Sequence, residues 1–251
     1  MSEIVKIDFD EQRKDIKEHV VNYWTERAPS FCDLRKEELK SEKASLWLKE
    51  LKTVLPQKKL NILDVGCGTA FFEVLLAEEG HTVTGIDLTE EMVKEAEIMI
   101  KSHGLENNAR VLQMDAEELN FNDETFDLVI TRNLTWTLPH PQKAYSEWHR
   151  VLKKGGLLLN FDAEHAKAAH MTNPHENNAH QDLSDAMQEK CHQIYHMLSM
   201  SALERPEWDK EILKQTGFTK VECDTGFGDR VYAQKDRFYI PERMSMIKAA
   251  K

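Results

Sequence analysis

The chain has 251 residues, of which 41% are apolar and 31% are charged, and its formal net charge is −11. This composition is typical of an ordinary soluble globular protein, and it excludes collagen-like, disulfide-scaffold and disordered classes. The acidic balance disfavours a protein whose main task is to grip nucleic-acid phosphates, since such proteins usually carry a basic excess.

The cellular location is suggested by three features. No stretch approaches the roughly 18 apolar residues of a membrane span, and the charged N-terminus lacks the apolar core of a signal peptide. The cysteines, at positions 32, 67, 191 and 223, form no CxxC pair. A zinc ribbon or disulfide framework is therefore disfavoured, and a cytoplasmic protein with reduced thiols and no membrane partner is expected.

Two helices are expected before the first strand. Residues 10–30 fit a helix that ends near Ala28 and Pro29, and residues 42–54 carry apolar side chains at a spacing of three to four until Pro56. Residues 1–55 are therefore assigned to N-terminal helices.

Short apolar runs alternate with helical segments from residue 60 onwards. The predicted strands are 60–65, 82–86, 110–114, 126–131 and 157–161, and the predicted helices run from the glycine turn to 79, then over 90–102 and 141–152. This alternation predicts an α/β fold in which helices cover both faces of a parallel sheet. We expect one domain over residues 1–251, with a cofactor-binding core at 60–163.

Residues 164–210 interrupt this alternation. The segment is polar and rich in His and Asn at first, then helical from about 183 to 198. It is interpreted as a lid or acceptor-specificity insertion. A helix at 207–215, a strand near 218–224 and a last apolar stretch follow, so residues 211–251 are expected to supply the C-terminal strands.

A glycine-rich turn, LDVGCGTAFF, follows the first predicted strand. Gly66 and Gly68 let the chain turn sharply and let a ligand lie against bare backbone. Asp87 ends the next strand, 21 residues after Gly66, which is about the spacing at which an acid reaches ribose hydroxyls. Phe71 replaces the third glycine of a dinucleotide fingerprint, which disfavours pyrophosphate. A ligand with a ribose and no phosphate, such as S-adenosylmethionine, fits better.

These motifs together resemble the class I S-adenosylmethionine-dependent methyltransferases. LDVGCGTA is similar to the family's first motif, with Ala70 in place of the usual third glycine, and GIDLTEEMV, QMDAEELNF and FDLVITRNLTWTLPHP are similar to the next three. The likeness covers roughly residues 20–163 well and 205–250 loosely. It implies a doubly wound, mostly parallel seven-stranded sheet in the order 3-2-1-4-5-7-6, with strand 7 antiparallel.

The resemblance also implies the residues that hold S-adenosylmethionine and the product S-adenosylhomocysteine. The acid of the second motif is expected to bind the ribose, and Asp115 and Ala116 are expected to flank the adenine. The full predicted cofactor set is Tyr23, Asp64, Gly66, Cys67, Gly68, Asp87, Leu88, Met92, Asp115, Ala116, Arg132 and Asn133.

The acceptor is expected near the end of the fourth strand, at residues 131–136. This stretch lacks the (N/D)PP(Y/F/W) motif of many methyltransferases that act on base amines or on glutamine, so nucleobase methylation is disfavoured. Trp136 fits either an apolar or cation–π wall or a core residue. Arg205 and Trp208 are candidate acceptor contacts, although Pro206 and Glu207 also fit a plain helix start there.

Eight of the 11 histidines fall within residues 140–196. His192 and His196 share a helix face with Glu189 at a spacing that can hold a metal, but His165, 170, 175 and 180 advance five residues at a time and form no stripe. No metal is therefore predicted. His140 and His165 follow strand ends and are the candidate catalytic bases.

The sequence thus predicts a methyltransferase that moves a methyl group to a small-molecule acceptor by in-line displacement. Nucleic acid is a disfavoured partner because of the acidic charge. An RNA or protein methyltransferase, and a non-catalytic regulatory protein that binds S-adenosylmethionine, are the alternatives.

Overall fold

The computed structural model describes residues 14–163, 183–198, 203–240 and 242–251. The predicted base His165 and the His- and Asn-rich first part of the predicted insertion lie outside these described residues.

Helices and strands alternate along most of the chain. The helices are α1 (Lys14–Leu39), α2 (Glu42–Val54), α3 (Phe71–Glu78), α4 (Glu90–Ser102), α5 (Pro141–Val151), α6 (Asp185–Met197), α7 (Glu207–Thr216) and α8 (Phe227–Val231). The strands are β1 (Asn61–Val65), β2 (Thr82–Asp87), β3 (Ala109–Gln113), β4 (Phe126–Arg132), β5 (Leu152–Asp162), β6 (Thr219–Asp224) and β7 (Ser245–Ala250). A 3-10 turn spans Thr135–Thr137.

The seven strands form one sheet in the order β3-β2-β1-β4-β5-β7-β6. The first five strands in chain order are parallel, and β7 runs antiparallel to both of its neighbours. The predicted α/β class and strand order are confirmed. Because β1, β2 and β4 are parallel neighbours, their carboxyl ends open at the same edge of the sheet, which is where ligands bind in such folds.

Both faces of the sheet are buried. Along β1, Ile62 joins one hydrophobic cluster and Leu63 the other, and along β4 Leu128 and Val129 divide in the same way. This division follows from the two-residue period of a strand, and it explains why the strands are nearly continuous apolar runs rather than alternating ones.

An aromatic group occupies the core on the face covered by α2 and α3. Trp47 is fully buried, and its ring centroid lies 5.4 Å from that of Phe72, 5.0 Å from that of Phe161 and 4.9 Å from that of Phe227. One side chain of α2 therefore contacts α3, β5 and α8 at once.

Two predicted boundaries are wrong. The first helix does not end near Pro29 but continues to Leu39. A proline inside a helix costs about 3 kcal/mol, and this cost is offset because Cys32 and Leu34 are buried after the expected end. The fifth strand begins at Leu152 rather than at residue 157, so it contains Gly155 and Gly156, which lie between the predicted helix and the predicted strand.

In the part of the chain that the structure covers, no helix has the length and apolar character that a membrane crossing requires.

The aromatic core gives a test of stability. Trp47→Ala is expected to lower the free energy of unfolding by about 3–5 kcal/mol, because a large buried ring leaves a cavity that its neighbours fill only in part. Ile98→Ala is the control, since Ile98 is 57% exposed and its loss is expected to change the same quantity by at most about 0.5 kcal/mol. Urea unfolding followed by circular dichroism measures both, and equal destabilisation of the two variants would contradict the central role of Trp47.

Candidate active site

A cavity opens at the carboxyl edge of the sheet, between the ends of β1, β2 and β4 on one side and α1, the 3-10 turn and α6 on the other. Eleven of the twelve predicted cofactor residues line it: Tyr23, Asp64, Gly66, Cys67, Gly68, Asp87, Leu88, Asp115, Ala116, Arg132 and Asn133. The twelfth, Met92, is buried in α4 and is not among the lining residues. Residues that are up to 110 positions apart in sequence therefore meet at one site.

The glycine turn is held by the end of β2. The amides of Gly66 and Cys67 both donate to the carbonyl oxygen of Ile86, at 2.8 and 2.9 Å. Gly66 has a positive φ of 71°, and a Cβ there would lie 2.8 Å from Leu134. A side chain is therefore excluded twice, by the backbone conformation and by the neighbouring leucine.

Asp87 fixes the turn on its other side. One carboxylate oxygen accepts the amide of Gly68 at 3.0 Å, and the other accepts the amide of Thr89 at 2.9 Å. Burial raises the pKa of this carboxyl, and the two backbone donors oppose that shift. The Asp87 side chain also lines the cavity. It therefore links the glycine turn, which a ligand would contact, to the end of β2.

Two further carboxyls lie beneath the turn. Asp64 and Glu73 are almost fully buried, and burial raises the pKa of each, with the neighbouring carboxyl raising that of Glu73 further. Like charges in a buried site cannot both ionise without a large cost, so this pair retains a proton at neutral pH. Gly85 makes room for the pair, since a Cβ there would come within 2.2 Å of Glu73 Oε1.

A buried cationic group forms one end of the cavity. Arg132 Nη2 lies 2.8 Å from Glu38 Oε1 and 2.8 Å from the hydroxyl of Tyr232, and Arg35 pairs with the same glutamate. Arg35 and Arg132 both line the cavity. Two guanidinium groups thus share one carboxylate, and the positive excess favours an anionic group of a ligand here.

Arg35 and Glu38 were not predicted as site residues, because the first helix was expected to end before them. A signal was present in the buried stripe of α1, in which Ala28, Cys32 and Arg35 recur every three to four residues.

A second ionic group lies at the opposite end of α1. Lys17 Nζ lies 2.5 Å from Asp115 Oδ2 and 2.6 Å from Glu117 Oε2, and Lys17 and Asp115 both line the cavity. The predicted base His140 belongs to this group. Its backbone amide donates to Glu117 Oε1 at 2.6 Å, and its ring Nδ1 lies 3.0 Å from Glu117 Oε2. His140 is not among the lining residues of the cavity, although Pro139 is.

The two predicted acceptor contacts in the last part of the insertion are not lining residues of the cavity. Arg205 is buried, with Nη1 3.1 Å from Asp162 Oδ2 and Nε 2.7 Å from Asp209 Oδ2. Trp208 packs between two hydrophobic clusters. Arg205 joins Asp162, at the end of β5, to Asp209 of α7.

Trp136 does line the cavity, and α6 adds two residues that the sequence did not identify. The ring centroid of Trp136 lies 4.7 Å from that of Tyr195, with an interplanar angle of 35°. Cys191, one turn before Tyr195, lines the cavity as well. A helix with mixed polar and apolar residues carries little local signal of what it faces, and only its packing against α1 reveals it.

Within the described ranges, no group of three or more His, Cys, Asp or Glu residues is arranged to hold a metal ion.

The comparisons with known proteins agree with this fold. A family model described as a methyltransferase domain matches residues 56–222. The chain is 42% identical over 98 residues to a phosphatidylethanolamine N-methyltransferase of Cereibacter sphaeroides, covering 39% of this chain and 48% of the relative. It is 39% identical over 121 residues to a demethylmenaquinone methyltransferase of Listeria welshimeri, covering 46% of this chain and 50% of the relative.

The fold is also similar to a solved structure of Haemonchus contortus phosphoethanolamine N-methyltransferase 2 in complex with S-adenosyl-L-methionine. The TM-score is 0.58 at 20% identity, over 82% of this chain and 52% of that one. The chain spans about half the length of the curated relatives it matches. Because the family model covers most of the chain, from before β1 into β6, the protein belongs to the methyltransferase-domain family.

The buried carboxyl pair predicts a pH dependence of stability. Both groups have a raised pKa in the folded state, whereas carboxyls of an unfolded chain titrate near pH 4. Unfolding therefore releases protons above about pH 4, and the free energy of unfolding falls as the pH rises toward the folded pKa values. Glu73→Gln is expected to reduce this fall, since it removes one titrating group.

Urea unfolding at pH 5 and pH 8 measures the effect. Glu78→Gln, at an exposed position of the same helix, is the control and is expected to keep the pH dependence of the original chain. If Glu73→Gln shows the same fall in stability as the original chain, the carboxyl pair does not retain a proton.

Proposed function

We propose that this protein is an S-adenosylmethionine-dependent methyltransferase that acts on a small-molecule acceptor. The observation that carries the proposal is the meeting of the glycine turn, the strand-end Asp87 and the Asp115–Ala116 pair in one cavity at the carboxyl edge of the sheet. Membership of the methyltransferase-domain family supports the same activity.

The chemistry of the lining residues fits the parts of this cofactor in order. Asp87 offers a carboxylate to a ribose, while Asp115 and Ala116 lie at the next strand end, where an adenine would be flanked. Arg35 and Arg132 supply the positive charge that a carboxylate at the amino-acid end requires. The site thus provides a polar, an apolar and a cationic region for a ligand that has all three.

The cofactor supplies an activated methyl group on a sulfonium, so the protein has mainly to align the acceptor and exclude water. The exclusion of water is served by α1, whose lining residues run from Lys17 at one end of the cavity to Arg35 at the other. Where the acceptor must lose a proton, His140 and His165 are the predicted bases. The imidazole of His140 is engaged with Glu117.

The proposal of a small-molecule acceptor rests on the net charge of the chain and on the sequence of the fourth motif. The chain has a net charge of −11, and residues 131–136 lack the motif that many base-amine methyltransferases carry. Both curated relatives are named for acceptors that are not nucleic acids or proteins. A cytoplasmic location is part of the proposal, and it agrees with four cysteines that form no disulfide.

Turnover of methyl-labelled S-adenosylmethionine tests the activity. The purified protein is incubated with the labelled cofactor and a small-molecule extract of cells, and the label is expected to move into a new product while S-adenosylhomocysteine accumulates. If the label stays in intact cofactor although the cofactor binds, the protein is the regulatory alternative rather than an enzyme.

The ribose contact gives a sharper test. Asp87→Ala is expected to weaken binding of S-adenosylmethionine by at least about tenfold, because it removes a charged hydrogen-bond partner of the ribose and the acceptor of the Gly68 amide. Isothermal titration calorimetry measures the affinity.

Asp224→Ala is the matched control. Asp224 also ends a strand and accepts the amide of the glycine two residues later, Gly226, at 2.9 Å, but it does not line the cavity. The affinity of this variant is expected to stay within about twofold of the original. Equal affinity of Asp87→Ala and the original chain would reject the ribose role.

A further inference from the structure

The loop that follows β4 contributes almost all of its residues to the cavity. Of residues 133–139, every one except Thr135 is a lining residue. Thr135 is instead fully buried, and its hydroxyl bonds to Asp162 and Arg205, neither of which lines the cavity. We call Thr135, Asp162, Arg205 and Asp209 the anchor cluster, because the loop is bonded to the rest of the fold through these residues.

The hydroxyl of Thr135 uses its full hydrogen-bonding capacity within the fold. It donates to Asp162 Oδ2, and it accepts from Arg205 Nη2 and, at 3.5 Å, from Asn160 Nδ2. A hydroxyl has one proton to donate and two lone pairs, so nothing is left over for a ligand. The backbone amide of Trp136 donates to the same Asp162 oxygen at 3.1 Å. Two consecutive residues of the loop are therefore bonded to one carboxylate.

Arg205 connects this carboxylate to the helices that follow. Its Nη1 lies 3.1 Å from Asp162 Oδ2, while Nε and Nη2 lie 2.7 and 3.0 Å from the two carboxylate oxygens of Asp209 in α7. Asp209 also accepts the hydroxyl of Tyr145 in α5, at 2.5 Å. The planar fork of a guanidinium reaches two carboxylates and a hydroxyl at once, which the single ammonium of a lysine does not.

The anchor cluster also closes the base of the segment that interrupts the α/β alternation. Asp162 is the last residue of β5, and Arg205 lies two residues before α7 begins. Residues 163–204 lie between the two partners in sequence, and α6 within this stretch supplies Cys191 and Tyr195 to the cavity. One ion pair therefore joins the two ends of the segment and also holds residues 133–139.

The loop has little structure of its own to fix its position. Its 3-10 turn is closed by the amide of Thr137, which donates to the carbonyl oxygen of Leu134 at 2.8 Å. A single turn of this kind is too short to be stable by itself. The side chains of Arg205 and Asp162 are only 7% and 6% exposed, so water competes little for the bonds that hold the turn.

We infer that Arg205 and Asp162 are positioning residues, which hold residues 133–139 in the conformation that binds ligand and touch no ligand themselves. Arg205, which was predicted to contact the acceptor, thus acts through Thr135 and Trp136. A surface that is already ordered loses less entropy when a ligand binds, so the anchor cluster is expected to raise affinity. This consequence rests on the proposed function, whereas the hold on the loop does not.

Hydrogen–deuterium exchange of the ligand-free protein, followed by mass spectrometry, tests the hold on the loop. Arg205→Met removes the guanidinium at similar side-chain length. It is expected to speed exchange in residues 133–139 at least about tenfold and to leave β1 within about twofold. Thr135→Val keeps the shape of the side chain and removes only the hydroxyl, so it guards against a folding defect in Arg205→Met, and it is expected to speed the same amides. Arg205→Lys keeps the charge and is expected to be intermediate.

Arg150→Met is the matched control. Arg150 also pairs with two carboxylates, those of Asp123 and Glu147, but it lies near the far end of α5 from the loop and does not line the cavity. Exchange of residues 133–139 in this variant is expected to stay within about twofold of the original chain.

Binding of S-adenosylhomocysteine gives a second measurement that a merely stabilising residue would not change. Isothermal titration calorimetry is expected to show an affinity about threefold to tenfold weaker in Arg205→Met and Thr135→Val, because binding must now order the loop. For the same reason, saturation with S-adenosylhomocysteine is expected to restore slow exchange of residues 133–139 in both variants.

The possible failures are distinguishable. If S-adenosylhomocysteine does not bind the original chain, the proposed function fails and the expected effect on affinity fails with it, while exchange in the ligand-free protein still tests the hold on the loop. The positioning role is overturned if exchange of residues 133–139 is unchanged in both Arg205→Met and Thr135→Val, if it rises equally in β1, or if Arg150→Met raises it as much. Unchanged affinity in both variants of a chain that binds S-adenosylhomocysteine would overturn it as well.

Discussion

The site depends on the continuation of α1 through Pro29. The helix has 26 residues and therefore extends about 39 Å at 1.5 Å per residue. Residues at a spacing of three to four along it line the cavity from Lys17 to Arg35. A helix that ended at Pro29 would leave the cationic end of the cavity without Arg35 and Glu38, so the burial that sustains the second half of α1 also completes the site.

The positions of the charged groups in the cavity depend on this helix, because Lys17 and Arg35 lie towards its opposite ends. At one end, Lys17 pairs with Asp115 and Glu117, and at the other Arg35 and Arg132 share Glu38. Between these ends, the aromatic lining residues come from the same helix, from the 3-10 turn and from α6. A ligand with an adenosine and an amino acid thus meets an ionic group at either end, which restricts the direction in which it can lie.

Much of the fold could be predicted because it depends on local patterns. The alternation of apolar runs and helices, the turn at Gly66 and the acid at Asp87 are each visible within about 25 residues, and the strand order came from the family resemblance. The missed features depend on contacts between distant segments. Tyr195 meets Trp136 across 59 positions, and Glu38 meets Arg132 across 94, and neither pairing leaves a periodic trace in the sequence.

The histidines also show that position in the sequence does not reveal what a side chain contacts. Their concentration in residues 140–196 drew attention to chemistry, yet the ring of His140 is engaged with Glu117, and that glutamate also takes the amide of His140 and the ammonium of Lys17. This histidine therefore joins the start of α5 to α1 at the edge of the cavity. Its position after a strand end, which suggested a base, is equally what a residue needs in order to hold the covering helix in place. Position along the chain places His140 near this edge of the sheet, and the contacts of its ring show what it holds there.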